Sequence, residues 1–216
     1  MMYSNILFDL DGTLVDSGEG ILKCAELALH HFGLPIPSPA EMRTFVGPPL
    51  RDSFRRFGCT AEQAEEAVAV YRSRYTVVGK YEGFVYPGIR ELLDALKAQG
   101  CRLFVATSKP ETTATDVLRH FGLADYFDCI AGAAMDKSRG TKEEVIAYLL
   151  GQVGDLEGAL MVGDTAFDVL GAAEHHIPCA GVSWGYGTVE SIEEAHPAAI
   201  VSNTDELQAF ILGGGV

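Results

Sequence analysis

"ILFDLDGTLVDS", residues 6–17, carries an apolar run straight into Asp9 and Asp11, with Gly12 and Thr13 behind them. A short apolar run closed by turn residues reads as a buried strand. Side chains alternate along extended chain, so Asp9 and Asp11 are expected to leave the strand on the same side and to converge. Gly12 then permits a sharp change of direction. Two carboxylates this close stay ionised together only at a cost, unless a cation sits between them or one keeps a proton. A solvated turn capped by Thr13 accounts for a bare D-x-D-G equally well. The rest of the chain has to decide between the two.

Working outward, short apolar runs alternate with helical patterns, which is the signature of a parallel sheet covered by helices. The candidate strands are "YSNILFDL" (3–10), "CRLFVATS" (101–108), "DCIAG" (128–132), "ALMVGD" (159–164), "IPCAGVS" (177–183) and "AAIVS" (198–202). Between them, "GIRELLDALKAQG" (88–100) sets Ile89, Leu92, Leu93 and Leu96 at helical spacing and stops at Gly100. Further helices are expected to start near Glu111, Thr141, Ala166 and Thr204.

The interval from Gly18 to Tyr81 breaks this rhythm and reads as helices throughout. Ile21, Leu22, Ala25, Leu29 and Phe32 form one amphipathic stripe, and Ala64, Ala67, Val68, Tyr71 and Tyr75 form another. The expected organisation is therefore an α/β core of residues 1–17 and 82–216, a Rossmann-like parallel sheet, with a small all-helical cap of residues 18–81 inserted after the first strand. A cap in that position would be hinged over the strand's carboxyl end, the edge of an open α/β sheet where ligands bind.

Later strands repeat the acidic ending. "LMVGDTAFDV" (160–169) places Asp164 at a strand end and Asp168 one helical turn on, where i and i+4 share a face. Parallel strands end at one edge, so Asp164 and Asp168 should approach Asp9 and Asp11. Four carboxylates there call for a hard cation with oxygen ligands, and Mg²⁺ fits. Taken alone, Asp168 also suits the start of a helix as a partner of its dipole.

"VATSKPE" (105–111) ends another strand with Thr107 and Ser108 just before a helix, where hydroxyls and backbone N–H groups make an anion site or an ordinary N-cap. "KSRGTKEEVIAYLL" (137–150) offers cations, with Thr141 as N-cap and Lys142 in the first helical turn, unfavourable for the dipole. That cost suggests a use for Lys142 in neutralising a nucleophile and a phosphate oxygen together, with Lys137 and Arg139 as competitors. Arg51 in "FVGPPLRDSF" (45–54) either reaches a substrate or is a solvated residue at a helix start. "WGYG" (184–187) either lines the mouth of the site or is a plain Gly-rich loop.

Composition narrows the partners. A formal net charge of −14, from 16 Lys+Arg against 30 Asp+Glu, repels polyanions and leaves no basic run, which argues against nucleic acid. A small phosphorylated substrate stays open, because local cations and a metal outweigh distant charge screened beyond roughly 8 Å. Five scattered cysteines, in no metal-binding or redox spacing, read as buried hydrophobes in a reducing compartment. With no long apolar stretch and an opening "MMYSN", the expectation is a cytoplasmic protein without membrane contact, monomeric or homodimeric.

"DLDGTLVDS", "VATSK", the Lys142 region and "GDTAFD" resemble, in order, the four motifs of the haloacid dehalogenase superfamily. The position of the insertion looks like the helical-cap subgroup. Within it, "FVGPPLRDSF" and "YPGIRELLDALKAQG" are similar to phosphoglycolate-phosphatase-like members. The resemblance implies that Asp9 is the nucleophile and Asp11 the general acid and base, and that Thr107 binds the transferring phosphoryl group with the Ser108 backbone. It implies Asp164 as a Mg²⁺ ligand alongside the acids of the first strand, with Asp168 as a further ligand or support. Lys142 matches the third motif without the common Lys-Pro pattern, and Arg139 stands at a similar distance. Members that cleave carbon–halogen bonds lack the second acid, so Asp11 argues for phosphate chemistry: a Mg²⁺-dependent phosphatase acting on a small phosphomonoester through an aspartyl-phosphate. The alternatives are a β-phosphoglucomutase-like phosphosugar mutase, a receiver-type phospho-aspartate signalling module, and a non-catalytic module.

Overall fold

The structure is a computed structural model, and it describes residues 2–136 and 138–213. The chain begins with β1 (Asn5–Phe8), whose apolar residues are fully buried, and passes through the two-residue strand β2 (Val15–Asp16). Four α-helices follow: α1 (Gly18–His31), α2 (Pro39–Arg43), α3 (Leu50–Arg56) and α4 (Ala61–Tyr75). A second two-residue strand, β3 (Phe84–Val85), pairs with β2. The remainder alternates: α5 (Ile89–Ala98), β4 (Arg102–Pro110), α6 (Glu111–His120), β5 (Cys129–Ala133), α7 (Lys142–Val153), β6 (Ala159–Gly163), α8 (Ala166–Ala173), β7 (Cys179–Val182), α9 (Val189–Glu194), β8 (Ala199–Val201) and α10 (Thr204–Leu212).

The chain divides into two compact units, one formed by residues up to Val15 with those from Val85 onward, the other by Asp16–Phe84. In the second unit the starts of α2 and α4 are held by capping boxes, Ser38 with Glu41 and Thr60 with Gln63. Ala64, Ala67, Val68, Tyr71 and Tyr75 are all buried on one stripe of α4, with Tyr71 and Tyr75 stacked 5.1 Å apart. Glu82 ties the unit together by taking a two-point ion pair from Arg74 and a third contact from Lys23.

In the first unit the six strands form one parallel sheet in the order β5-β4-β1-β6-β7-β8. This is the α/β architecture expected from the alternating pattern. The central strand β1 pairs in step with both neighbours, Phe8 facing Val105 of β4 and Val162 of β6. Alternation along β1 sends Ile6 and Phe8 into a core with α5, α6 and α10, and Leu7 into a second core with α7 and α8. Burying a side chain of this size contributes about 1.5–3 kcal/mol, so the register of β1 is strongly specified. The same parity turns Asp9 toward the α7–α8 side, and the Asp9 N–H donates to the Val162 carbonyl as the ladder ends. No helix among the described residues is long and apolar enough to cross a membrane.

Candidate active site

Three acids meet at the carboxyl end of the sheet. Asp9, Asp164 and Asp168 each offer an oxygen within 4.8 Å of the others, and all three are buried. Asp9 follows β1, Asp164 follows the neighbouring β6, and Asp168 lies in the first turn of α8. One oxygen of Asp168 caps its own helix, accepting from the Thr165 N–H at 3.0 Å and the Thr165 hydroxyl at 2.8 Å. Asp164 accepts from the Thr13 hydroxyl at 3.1 Å and from the Tyr186 N–H at 2.8 Å.

Lys142 stands among these acids. Its ammonium lies 2.7 Å from Asp9 Oδ1, 2.7 Å from Asp168 Oδ1 and 2.8 Å from the Ala106 carbonyl. Thr141 and Glu144 fix the start of α7 as a capping box. Gly171 of α8 lets that start come close, since a Cβ there would lie 2.7 Å from Cβ and Cγ of Lys142. Gly12 serves the facing loop: it turns with φ +92°, and a Cβ on it would strike the Asp164 carboxylate.

The electrostatics follow from burial. Removal from water lifts the Asp9 carboxyl to about 6, the Lys142 ammonium pulling against that rise and Asp168 adding to it. Burial raises Asp164 well above the usual carboxylate range, with Asp168 and Asp9 pushing the same way. For Lys142 burial alone would lower the ammonium, but Asp168 and Asp9 outweigh it and hold the group charged. The Thr107 hydroxyl donates to Asp9 and favours its ionised form. Three carboxylates around one ammonium leave an excess of buried negative charge, a donor set of oxygens that fits a hard divalent cation such as Mg²⁺.

Asp11 departs from the expected convergence. The ladder ends at Phe8 and the chain turns, with an isolated bridge between Asp11 and Val15, so strand alternation does not carry through to Asp11. Its two oxygens instead accept from the Lys109 ammonium at 2.7 and 2.8 Å. The expected cluster of four acids is a cluster of three, with Asp11 beside it on a lysine of its own. Lys109 lies within "VATSKPE", outside the residues the motif singles out, and the signal that finds it is the period of two along β4, which places it on the side of Thr107 and leaves Ser108 exposed. The ladder of β4 with β5 shifts register between Thr107 and Pro110.

The other candidates lie elsewhere. Arg139 is engaged by Glu111 at 2.7 Å and the Gly132 carbonyl at 2.6 Å, and its guanidinium covers the Tyr148 ring. Lys137 lies outside the described residues. Arg51 belongs to the helical unit, where it pairs with Glu65 of α4. The "WGYG" loop is more than a plain linker, since the Trp184 indole N–H donates to the Thr13 carbonyl at 3.1 Å and Tyr186 holds Asp164.

A profile of the family described as haloacid dehalogenase-like hydrolase matches residues 6–182, which include every acid of this cluster. The chain belongs to that family. Among the relatives of this hydrolase, the tyrosine-protein kinase PtkA of Mycobacterium tuberculosis is 43% identical over 206 residues, 94% of this chain and 70% of that one. A 5'-nucleotidase of Pseudomonas aeruginosa is 43% identical over 199 residues, covering 91% and 90%. A phosphoglycolate phosphatase of Yersinia pseudotuberculosis is 30% identical over 209 residues, covering 94% and 90%. The crystal structure of a predicted phosphatase from Clostridium acetobutylicum superposes with a TM-score of 0.91 at 40% identity, over 99% of this chain and 100% of that one.

Proposed function

We propose that this haloacid dehalogenase-like hydrolase is a Mg²⁺-dependent phosphatase that cleaves a small phosphomonoester through an aspartyl-phosphate on Asp9. The observation that carries this reading is the position of Lys142, one ammonium shared by Asp9 and Asp168 beside Asp164. Such a centre holds a carboxylate nucleophile ionised and desolvated at a point where phosphate oxygens need positive charge.

An Asp9 oxygen attacks phosphorus, the ester bond breaks, and the departing oxygen takes from Asp11 the proton that Asp11 gained from water in the preceding turnover. Water then attacks the aspartyl-phosphate, Asp11 takes its proton, and inorganic phosphate leaves with Asp9 restored. Lys109, on both oxygens of Asp11, holds that carboxyl in place between the two steps. The Thr107 hydroxyl and the Ser108 N–H receive the transferring phosphoryl oxygens, and Lys142 offsets their charge. Asp9, Asp164 and Asp168 would hold Mg²⁺. When bound, the ion supplies further positive charge to the phosphoryl oxygens.

A second reading has the PtkA similarity behind it: with a nucleoside triphosphate as donor, the same residues would pass the phosphoryl group to a tyrosine hydroxyl instead of water. A phosphate-release screen separates the two. Nucleoside 5'-monophosphates, 2-phosphoglycolate and several dozen other phosphomonoesters are tested with Mg²⁺ and with chelator, with ATP plus a tyrosine-containing protein in parallel. Mg²⁺-dependent release of free phosphate that Asp9→Asn abolishes, in a preparation checked for deamidation, is the expected result. Comparable kcat in that variant removes Asp9 from the nucleophile role, and phosphate retained on a hexose product makes the chain a mutase.

A further inference from the structure

Away from the acid cluster, the sheet-bearing unit holds a cavity of about 510 Å³, whose walls include Tyr86, Glu91, Leu92, Trp184, Asn203 and Asp205. That volume lies within the range of small-molecule sites, about 300–1,000 Å³. Its floor is the place where the starts of α5 and α10 meet. Gly88 allows the meeting, since a Cβ there would lie 2.2 Å from the Thr204 hydroxyl.

The lining selects a ligand by charge. Tyr86, Leu92 and Trp184 give apolar and aromatic walls, and among the described residues no lysine or arginine lines the cavity. The neighbouring Arg90 donates instead to the carbonyls of Phe121 and Gly122. Each helix start contributes roughly half a positive charge, whereas Glu91 and Asp205 bring a full negative charge each, so the balance is negative. The Asn203 oxygen is spent on the Glu206 N–H at 2.9 Å, and the Glu206 carboxylate is taken up by Ser202 and Asn203. An anion is therefore disfavoured, while aromatic faces attract a cation.

One wall also reaches the catalytic loop. The indole N–H of Trp184 donates to the Thr13 carbonyl, and the Thr13 hydroxyl donates to Asp164, each at 3.1 Å. We propose that this cavity is an effector site for an organic ammonium ion carrying a flat apolar body, sensed at the active centre through Trp184.

Trp184 is the chain's only tryptophan, so its fluorescence reports occupancy without recourse to catalysis. Benzylamine, benzyl alcohol and benzoate share one ring and differ in charge, and each is titrated into the full chain at pH 7.5. The expected result is a saturable change with benzylamine, binding weaker by about tenfold for the alcohol, and none for benzoate. Glu91→Gln combined with Asp205→Asn is expected to weaken benzylamine by about tenfold. Asp205→Asn alone, with a loss of about threefold, serves if circular dichroism shows the double variant unfolded. Absence of saturation by benzylamine, equal binding of the alcohol or of benzoate, or unchanged affinity in the variants overturns the proposal. At saturation kcat/KM on p-nitrophenyl phosphate is expected to change by about twofold or more, and an unchanged value with a normal titration overturns the effector role. A chain that binds benzylamine but hydrolyses no ester would count against the phosphatase reading and not against the cavity.

Discussion

The Lys142 ammonium stands 2.7 Å from Asp9 Oδ1, although 133 positions separate the two residues in the chain. Parity along β1 turns Asp9 to the α7 side, and Gly171 lets α7 close in from α8. Truncating Lys142 leaves two buried carboxylates without their counter-charge. Lys142→Met is expected to lower kcat/KM by about 10²–10³ and to destabilise the metal-free protein by about 3–5 kcal/mol. Phosphate release and urea unfolding measure the two effects. Lys142→Arg should not restore activity, because a planar guanidinium does not put one nitrogen at the point shared by Asp9, Asp168 and the Ala106 carbonyl, and full activity in that variant would refute the fit described.

The raised carboxyls make stability depend on pH in a defined direction. Asp9 goes from 3.8 to about 6 on folding, so between those values the folded chain keeps a proton that the unfolded chain has lost. Stability of the metal-free protein therefore falls as pH rises through this window, and Asp164 acts in the same direction. Mg²⁺ favours the ionised acids of the folded chain, so its stabilisation should grow as pH rises. At about 100 times its Kd the ion contributes about 2.7 kcal/mol, which for a chain of this size raises Tm by about 5–10 °C. Thermal melts at pH 7.5 and pH 5, with Mg²⁺ and with chelator, test this, and an equal shift at both pH values contradicts it.

Lys109 is expected to act through Asp11. Lys109→Met removes the ammonium that holds both Asp11 oxygens and should lower kcat by about 10–100-fold while KM changes by less than about twofold. Lys109→Arg should recover part of the loss. A KM effect larger than the kcat effect would point to substrate binding instead.

Glu82 secures the helical unit through Arg74 and Lys23. The Arg74 guanidinium lowers its carboxyl from 4.5 to about 2, against the opposing effect of burial and with help from Lys23. A depressed folded value means that the contribution is present above 4.5 and is lost as pH falls toward 2. Because the groups are partly exposed, Glu82→Gln is expected to cost only about 1 kcal/mol. The cost should shrink in high salt, and a salt-independent loss in urea unfolding would indicate packing in place of charge.

How far the chain announced itself differs from residue to residue. The three clustered acids were legible because each ends an apolar run or opens the helix just after one, and parallel strands end at one edge. Lys142 was legible as a cation misplaced for its helix, while its preference over Arg139 was not, since both stand in one short stretch. Partnership decides there, Arg139 being committed to Glu111 and Gly132. Asp11 was expected to share the point where Asp9 sits, and the end of the ladder after Phe8 undoes that reasoning. The short β2–β3 pair and α9 gave no periodic signal, being two and six residues long.

Alternation of apolar runs and helical stripes was enough to determine a parallel sheet with a helical insertion and acids at the sheet's carboxyl edge. Burial of one face of each strand leaves little choice of register. Only the tertiary structure decided which cation serves which acid: Lys142 for Asp9 and Asp168, Lys109 for Asp11. Those pairings depend on how closely α7 approaches α8 and on where the first strand stops pairing. Both are set by contacts between residues far apart in the chain, which a local pattern does not contain.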